Sequence, residues 1–180
     1  MINRTLNLCA SLLMLAVLTH VAHSNDMNNV ASVCKIGIYD SRVIALAYYR
    51  SEQQMARLQA IRTEHMKAKS ENNQDKIKEL EKEGPWTQVR MHQQVFSTAG
   101  ISHITTQIQE PLKQLAQDAG VIIIISKWEM PYLAATAEII DLTVPIAKLF
   151  NPDEQTLKIM EAMKIQEPVP FDQLPLDPNF

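Results

Sequence analysis

A long helix-forming stretch with almost no apolar face constrains this fold more than any other feature. Residues 62–83 are rich in Glu, Lys, Gln, Arg and Ala, which are all good helix formers. The clearest apolar residues in this stretch are Met66, Ile77 and Leu80. A helix this polar has too little apolar surface to lie inside a globule. We therefore expect it to project into solvent, held by a narrow seam and by charge pairs.

Helical periodicity continues on both sides of this stretch. Apolar residues recur at helical intervals upstream, which predicts one helix over residues 42–83, about 60 Å long. A second, mostly apolar seam runs over residues 86–119, with a kink or restart at Pro111. Gly84-Pro85 predicts the turn between the helices, because glycine is favoured just after a helix and proline at the start of the next. Asn72-Asn73 is an alternative turn with weaker chemistry.

Strand-like segments flank the two helices. Residues 35–40 alternate apolar and other side chains, and residues 121–125 are five consecutive β-branched residues. The second run is too short to cross a bilayer and suits a strand that is buried on both faces. One hairpin arm cannot cover both faces, so the C-terminal segments or other copies of the chain must help. One or two further short strands are expected within residues 132–140.

These segments predict an α+β fold, with a small β-sheet body and a long antiparallel α-helical hairpin arm. The candidate strand residues for the body and for contacts between copies are Ile36, Ile38, Ile122, Ile123, Ile124 and Ile125. Thr143 can cap a short helix, and the sequence from Asn151 to Glu154 is typical of the start of another, predicted over residues 151–164. Residues 165–180, rich in proline, are expected to be an extended or disordered tail.

The first residues have the pattern of a secretory signal peptide. Arg4 precedes an apolar run over residues 8–18, and small residues stand three and one positions before a cut after Ser24. Residues 1–24 are therefore predicted to be cleaved on export to the periplasm, with residues 25–34 as a flexible lead-in. An uncleaved anchor, giving a membrane-anchored coiled-coil protein, is the alternative. The remaining chain has a net charge of −4 (16 − 20) and one cysteine, Cys34.

Several kinds of chemistry lack support in the sequence. None of the four glycines lies near another, which argues against a phosphate-binding loop. The acidic charge gives no reason to expect a nucleic-acid partner. Among the histidines of the helices, His92 and His103 would lie about 16 Å apart along one axis, too far to share a metal ion. We therefore predict no enzyme activity, no cofactor and no metal site.

The order of the parts resembles the Skp, or OmpH-like, family of periplasmic chaperones of Gram-negative bacteria. The likeness lies in the short strand that ends in Asp40, in the passage from a helix through Gly120 to a strand, and in the segment IIDLT, residues 139–143. It covers about residues 35–150. The resemblance implies a body formed by residues 35–48 and 110–150. It also implies an arm of residues 49–109 with its tip near residues 84–85.

The resemblance also implies a homotrimer with a chaperone function. In that family, a small β body forms on a three-fold axis, and the cavity between the arms holds unfolded outer-membrane proteins without ATP. The expected function is therefore that of a periplasmic holdase. Its partners would be further copies of itself, unfolded outer-membrane proteins and a membrane surface. The net acidic chain departs from the often basic family, although residues 50–95 carry nine basic and seven acidic residues.

Client contacts are expected from soft apolar and basic side chains of the arm. Methionine adapts to varied partners, and basic residues add long-range attraction. The candidates are Met55, Arg57, Arg62, Met66, Lys67, Lys69, Trp86 and Met91. A second group is expected instead to hold the two arm helices together: Leu58, Ile61, Val89 and Phe96. The alternative function is a periplasmic coiled-coil scaffold or adaptor that binds one folded partner.

Overall fold

The computed structural model describes residues 34–174, and all structural statements below refer to this range. The predicted signal peptide, residues 25–33 of the lead-in and residues 175–180 of the tail lie outside it. The described elements are β1 (Lys35–Tyr39), α1 (Ser41–Tyr49), α2 (Glu52–Ser70), α3 (Gln74–Phe96), α4 (Ser102–Thr105), a 3₁₀ turn (Thr106–Ile108), α5 (Gln109–Ala119), β2 (Ile123–Ser126), β3 (Glu138–Asp141), α6 (Thr143–Lys148), α7 (Glu154–Lys164) and a second 3₁₀ turn (Phe171–Gln173).

The three strands form one small parallel sheet in the order β2–β1–β3. Ile36 pairs with Ile123 on one side and with Ile139 on the other. The strand predicted over residues 35–40 is confirmed, and the other two strands overlap the predicted segments. A mostly helical chain with one small sheet is compatible with the predicted α+β class.

The two faces of the sheet differ in what covers them. Gly37 pairs with Ile124 and Ile140, and both isoleucines pack against the hydrophobic core. The core approaches this row closely, since a Cβ on Gly37 would lie 2.8 Å from Cδ1 of Leu142. On the opposite side, the exposed Asp141 of β3 lies beside Ile38. The same side carries five isoleucines, named here the isoleucine face: Ile36, Ile38, Ile123, Ile125 and Ile139. None of these five belongs to the core cluster of the described residues.

The strand predicted to be buried on both faces is therefore an edge strand of the single chain. Ile122 and Ile123 are 73% and 47% exposed. This correction arises because the helices cover only the side of the sheet that carries Ile124. The sequence predicts cover by the C-terminal segments or by other copies of the chain, and within the described range the C-terminal segments leave Ile122 and Ile123 exposed.

Helix α1 is the centre of the hydrophobic core. Its residues Val43, Ile44, Ala45 and Ala47 are completely buried, and α1 contacts α3, α6 and α7. Ile101, Ile104 and Ile108 are also buried in this core. The segment from residue 101 to 108, predicted as part of the arm, thus belongs to the body. The seam predicted over residues 86–119 is interrupted, since α3 ends at Phe96 and an irregular segment follows.

The helix predicted over residues 42–83 is also interrupted, near its start. Helix α1 ends at Tyr49, and Ser51 caps α2 by accepting a hydrogen bond from the backbone N–H of Gln54 at 3.3 Å. Helix α2 has 19 residues, or about 28 Å at about 1.5 Å per residue. The first helix of the arm is therefore about half as long as the sequence pattern suggests.

The turn after α2 lies at residues 71–73, so the tip predicted at Gly84-Pro85 is wrong. Asn72 has φ 53°, and the N–H of Asn73 donates to the carbonyl of Ala68 at 2.9 Å. This is the Schellman arrangement, which satisfies the last carbonyls of a helix. Asn73 then caps α3 by accepting from the N–H of Lys76 at 3.1 Å. Two asparagines thus do what was expected of glycine and proline, and Pro85 lies inside α3.

The C-terminal part joins the body. Helix α7 contacts α1, and its Thr156 and Met160 are buried. Its cap is Asp153, whose carboxylate accepts from the N–H of Thr156 at 2.6 Å; hydrogen bonds from the side chain and then from the backbone of Thr156 lower the pKa of Asp153. At α6, Thr143 is the first helical residue and not the cap; its N–H donates to Asp141 at 2.8 Å.

Candidate client-binding arm and oligomer face

Helix α2 is exposed on nearly every side. Within it only Gln54 and Ala68 are buried. Three large apolar side chains are exposed among the charged residues of these helices. Met55 and Met66 of α2 are 54% and 72% exposed, and Trp86 of α3 is 55% exposed. A large apolar side chain on such a polar helix is solvated at a cost, which contact with another apolar surface relieves.

Polar contacts join α2 to α3 across a narrow seam. His65 and Lys69 of α2 both approach the carboxylate of Glu81, at 3.0 and 3.8 Å, and Lys76 lies 3.1 Å from Glu64. Hydrogen bonds to Glu79 and Glu64 raise the pKa of Lys76. These contacts join residues 64–69 of α2 to residues 76–81 of α3, on the two sides of the turn at residues 71–73. Being exposed, each pair stabilises the seam only slightly.

A cleft lies between the two helices beside Pro85. Its volume is about 370 Å³, and its lining is Ile61, Arg62, His65, Leu80, Glu81 and Pro85. Of the four residues expected to hold the helices together, Val89 is buried, whereas Leu58, Ile61 and Phe96 remain 38%, 38% and 50% exposed. The seam therefore leaves apolar surface open.

The remaining client candidates divide into two groups. Arg57, Arg62, Lys67 and Lys69 are exposed on α2. Met91 does not share this surface, because it packs against the core cluster at the base of α3. The structure thus brings seven of the eight candidates onto the exposed part of the arm, and Met91 becomes a body residue.

A hydrogen-bond network fixes the base of α3 to the body. The Tyr49 hydroxyl donates to Oε1 of the buried Gln94 at 2.8 Å, and Nε2 of Gln94 donates to the carbonyl of Gly100 at 2.6 Å. Burial raises the pKa of Tyr49. The arm therefore leaves the body from a fixed root rather than from a loose joint.

A charged cluster closes the carboxyl end of the sheet. The buried Asp40 carboxylate accepts from Arg42 Nη2 at 2.8 Å, Lys127 Nζ at 2.9 Å and Trp128 Nε1 at 3.1 Å. Both cations also lie over the Trp128 ring, 4.9 and 4.4 Å from its centroid. The backbone N–H of Asp40 donates to Thr143 Oγ1 at 2.9 Å. Groups that follow β1, β2 and β3 thus meet at one residue, Asp40.

From the sequence, Asp40 is placed only at the end of the first strand, and this cluster is not predicted. The available signal was position: Asp40, Lys127 and Thr143 each come one or two residues after a strand. Parallel strands bring their carboxyl ends to the same edge, but the sequence alone did not show that the strands were parallel. The cluster holds the three strand ends together.

No helix of the described range is long and apolar enough to cross a bilayer. The same residues contain no cluster of three or more His, Cys, Asp or Glu side chains that could hold a metal ion. His65 pairs with Glu81, His92 with the Phe96 ring and His103 with the Tyr48 ring. Cys34 is exposed just before β1.

Comparison with known proteins gives no relative. The chain matches no protein-family model, no curated protein and no solved structure.

Proposed function

We propose that this protein is an ATP-independent holdase chaperone, exported to the periplasm, that binds unfolded outer-membrane proteins. The observation that carries the proposal is the exposure of Met55, Met66 and Trp86 on an otherwise polar pair of helices. Flexible thioethers and an indole fit many apolar partners, whereas a site for one folded partner needs a shaped, desolvated centre. The exposed basic residues of α2 add attraction for acidic segments.

The helices α2 and α3 form the antiparallel arm in this proposal. The contacts between residues 64–69 and residues 76–81, together with the turn at residues 71–73, support that arrangement. Because α2 is only about 28 Å long, the space between such arms is shallow. It would enclose a short segment of an unfolded chain rather than a whole folded domain.

Three chains would associate through the isoleucine face. This surface needs cover, because five isoleucines on adjacent strands form a continuous apolar patch. A closed three-fold arrangement would bury it and place the arms around a common space. The need to cover this patch supports association of several chains. The number three rests on the resemblance to the Skp family.

Aggregation of a urea-denatured outer-membrane β-barrel protein, followed by light scattering after dilution, tests the function. The wild-type chain should suppress aggregation, and replacement of Met55, Met66 and Trp86 together by Ser should weaken binding by about tenfold or more, since several apolar contacts are lost. A matched triple, Gln53→Ser, Gln59→Ser and Gln88→Ser, changes three exposed polar residues and should leave suppression unchanged.

Each single substitution of the apolar set should have only a small effect, because many weak contacts share the work. A wild-type chain that suppresses no aggregation would refute the holdase function and favour the adaptor. Equal loss in the two triple variants would show that the exposed apolar side chains do not carry client binding.

A further inference from the structure

The segment that follows α7 returns to the base of the arm. The backbone N–H of Val169 donates to the carbonyl of Phe96 at 2.8 Å, across 73 residues of sequence (169 − 96). Phe96 is the last residue of α3, and the final carbonyls of a helix have no partner within it. The tail therefore supplies a backbone donor that the end of α3 lacks.

This contact uses the main chain of the tail and not its side-chain chemistry. Within the described range, residues 165–174 form no side-chain hydrogen bond and no ion pair with the rest of the protein. Glu167 and Asp172 are exposed. A site that recognises an extended backbone through its N–H groups accepts many sequences, as when a peptide adds to a sheet edge.

The surroundings of the Phe96 carbonyl suit an apolar chain. The Phe96 side chain is 50% exposed and its ring lies 5.6 Å from that of His92. Val169 and Pro168 are half-buried where the tail passes, and Pro170 has φ −54° and ψ 141°, an extended conformation. The prolines hold the segment extended before it binds, which lowers the entropy lost on docking.

From these observations we propose that the base of α3 is a docking site for extended segments of unfolded polypeptide, and that residues 165–174 occupy it until a client displaces them. The inference rests on the proposed holdase function and names a second contact region for the same client. The tail would act as a tethered competitor with the chemistry of an extended, apolar chain.

Tethering explains how one hydrogen bond can hold the tail in place and still release it. Four residues, 165–168, separate α7 from Val169. A link this short gives an effective concentration on the order of millimolar, so a weak contact is populated. A client segment that adds apolar contacts along the arm can outcompete it, and the client's apparent affinity is reduced by the fraction of sites that the tail occupies.

A proline substitution in the full chain tests the docking site directly. Val169→Pro removes the N–H that Phe96 accepts, while its proline neighbours allow the same extended backbone. The control Val169→Ala shortens the side chain but keeps the N–H. The probe is a urea-denatured, fluorescently labelled outer-membrane β-barrel protein, and its Kd is measured by fluorescence anisotropy. Circular dichroism melts establish that both variants fold like the wild type.

We expect Val169→Pro to bind this probe about two- to tenfold more tightly than wild type, the range of one hydrogen bond, with Val169→Ala close to wild type. Val169→Pro that binds as Val169→Ala does, or more weakly, overturns the inference. If the wild type and both variants bind no probe, the holdase function itself fails. Binding of all three with equal Kd refutes the docking site alone.

Hydrogen exchange of the wild-type chain gives an independent measurement. The Val169 amide should exchange slowly in the free protein and faster once the denatured β-barrel protein is bound, because the client takes its place at the Phe96 carbonyl. Unchanged protection of the Val169 amide in the client-bound state would overturn the proposal.

Discussion

At the scale of single residues, Asp40 has the most demanding environment. Burial alone would raise the pKa of its carboxyl group, but hydrogen bonds from Arg42, Lys127 and Trp128 outweigh burial and lower the pKa from 3.8 to about 2. Asp40→Asn keeps the shape and removes the charge, leaving Arg42 buried without its counter-ion. We expect a loss of about 3 kcal/mol in urea unfolding at pH 7. Glu138→Gln, at the exposed Lys35 pair, should cost less than about 1 kcal/mol.

The pH dependence of this effect follows from the direction of the shift. The folded-state pKa of Asp40 lies below the ordinary value, so its carboxylate stabilises the fold fully above pH 3.8, and the contribution is lost as pH falls towards 2. A drop from 3.8 to about 2 corresponds to about 2 kcal/mol. The stability difference between wild type and Asp40→Asn should therefore narrow from pH 5 to pH 2. A stability difference that stays constant from pH 5 to pH 2 would show that the charge of the Asp40 carboxylate does not stabilise the fold.

Two glycines make a matched test of packing. A Cβ on Gly37 would meet Leu142 at 2.8 Å and Ile124 at 3.1 Å, whereas a Cβ on Gly100 would meet nothing within 4 Å. Gly37→Ala should destabilise the sheet by about 1–3 kcal/mol through overpacking. Gly100→Ala, at an exposed position without a positive φ, should stabilise the protein by about 0.4–1 kcal/mol because it restricts the unfolded chain. If thermal melts show that both substitutions shift the Tm in the same direction, the close packing around Gly37 is not what sets its effect.

At the scale of elements, the position of the turn decides the length of the arm. Pro85 lacks an N–H, so the carbonyl of Glu81 loses its helix partner; a proline within a helix costs about 3 kcal/mol. The Asn72-Asn73 turn and the burial of Ala68, Ile77 and Val89 on α2 and α3 outweigh that cost. Pro85→Ala should raise helical content and the Tm. Its control, Pro111→Ala in the first turn of α5, should change both less.

The elements also show which features the sequence could predict. Strand β1, the break at Gly120 with φ 64° and helix α7 follow from local chemistry that the sequence displays. The sequence favours Gly84-Pro85 over the turn at residues 71–73, because glycine and proline have the stronger local preferences, yet Asn72 and Asn73 supply the positive φ and the cap that the turn requires. The Asp40 cluster and the docked tail depend on parallel strand order and on chain return, which no local pattern encodes.

At the scale of the whole molecule, the single chain leaves the isoleucine face only partly covered: Ile123 is 47% exposed, and the other four isoleucines are half-buried. Association that removes the remaining apolar area from water would be favourable by about 25 cal/mol per Å². The alternation along β1 puts Ile36 and Ile38 on this face and Gly37 on the core side. One side of the sheet therefore packs against the core, and in the proposed trimer the other side contacts the neighbouring chains.

Light scattering on a sizing column, with reductant because Cys34 is exposed, tests this arrangement. Wild type should have about three times the mass of one chain. Ile36→Lys places a charge between Ile123 and Ile139 on the isoleucine face, where an unpaired buried ammonium group costs several kcal/mol, so this variant should be a folded monomer. Met66→Lys, at a side chain 72% exposed on the arm, should remain a trimer. A wild-type monomer, or a trimer that survives Ile36→Lys, would show that the isoleucine face does not join the chains, and the arms would then enclose no common space.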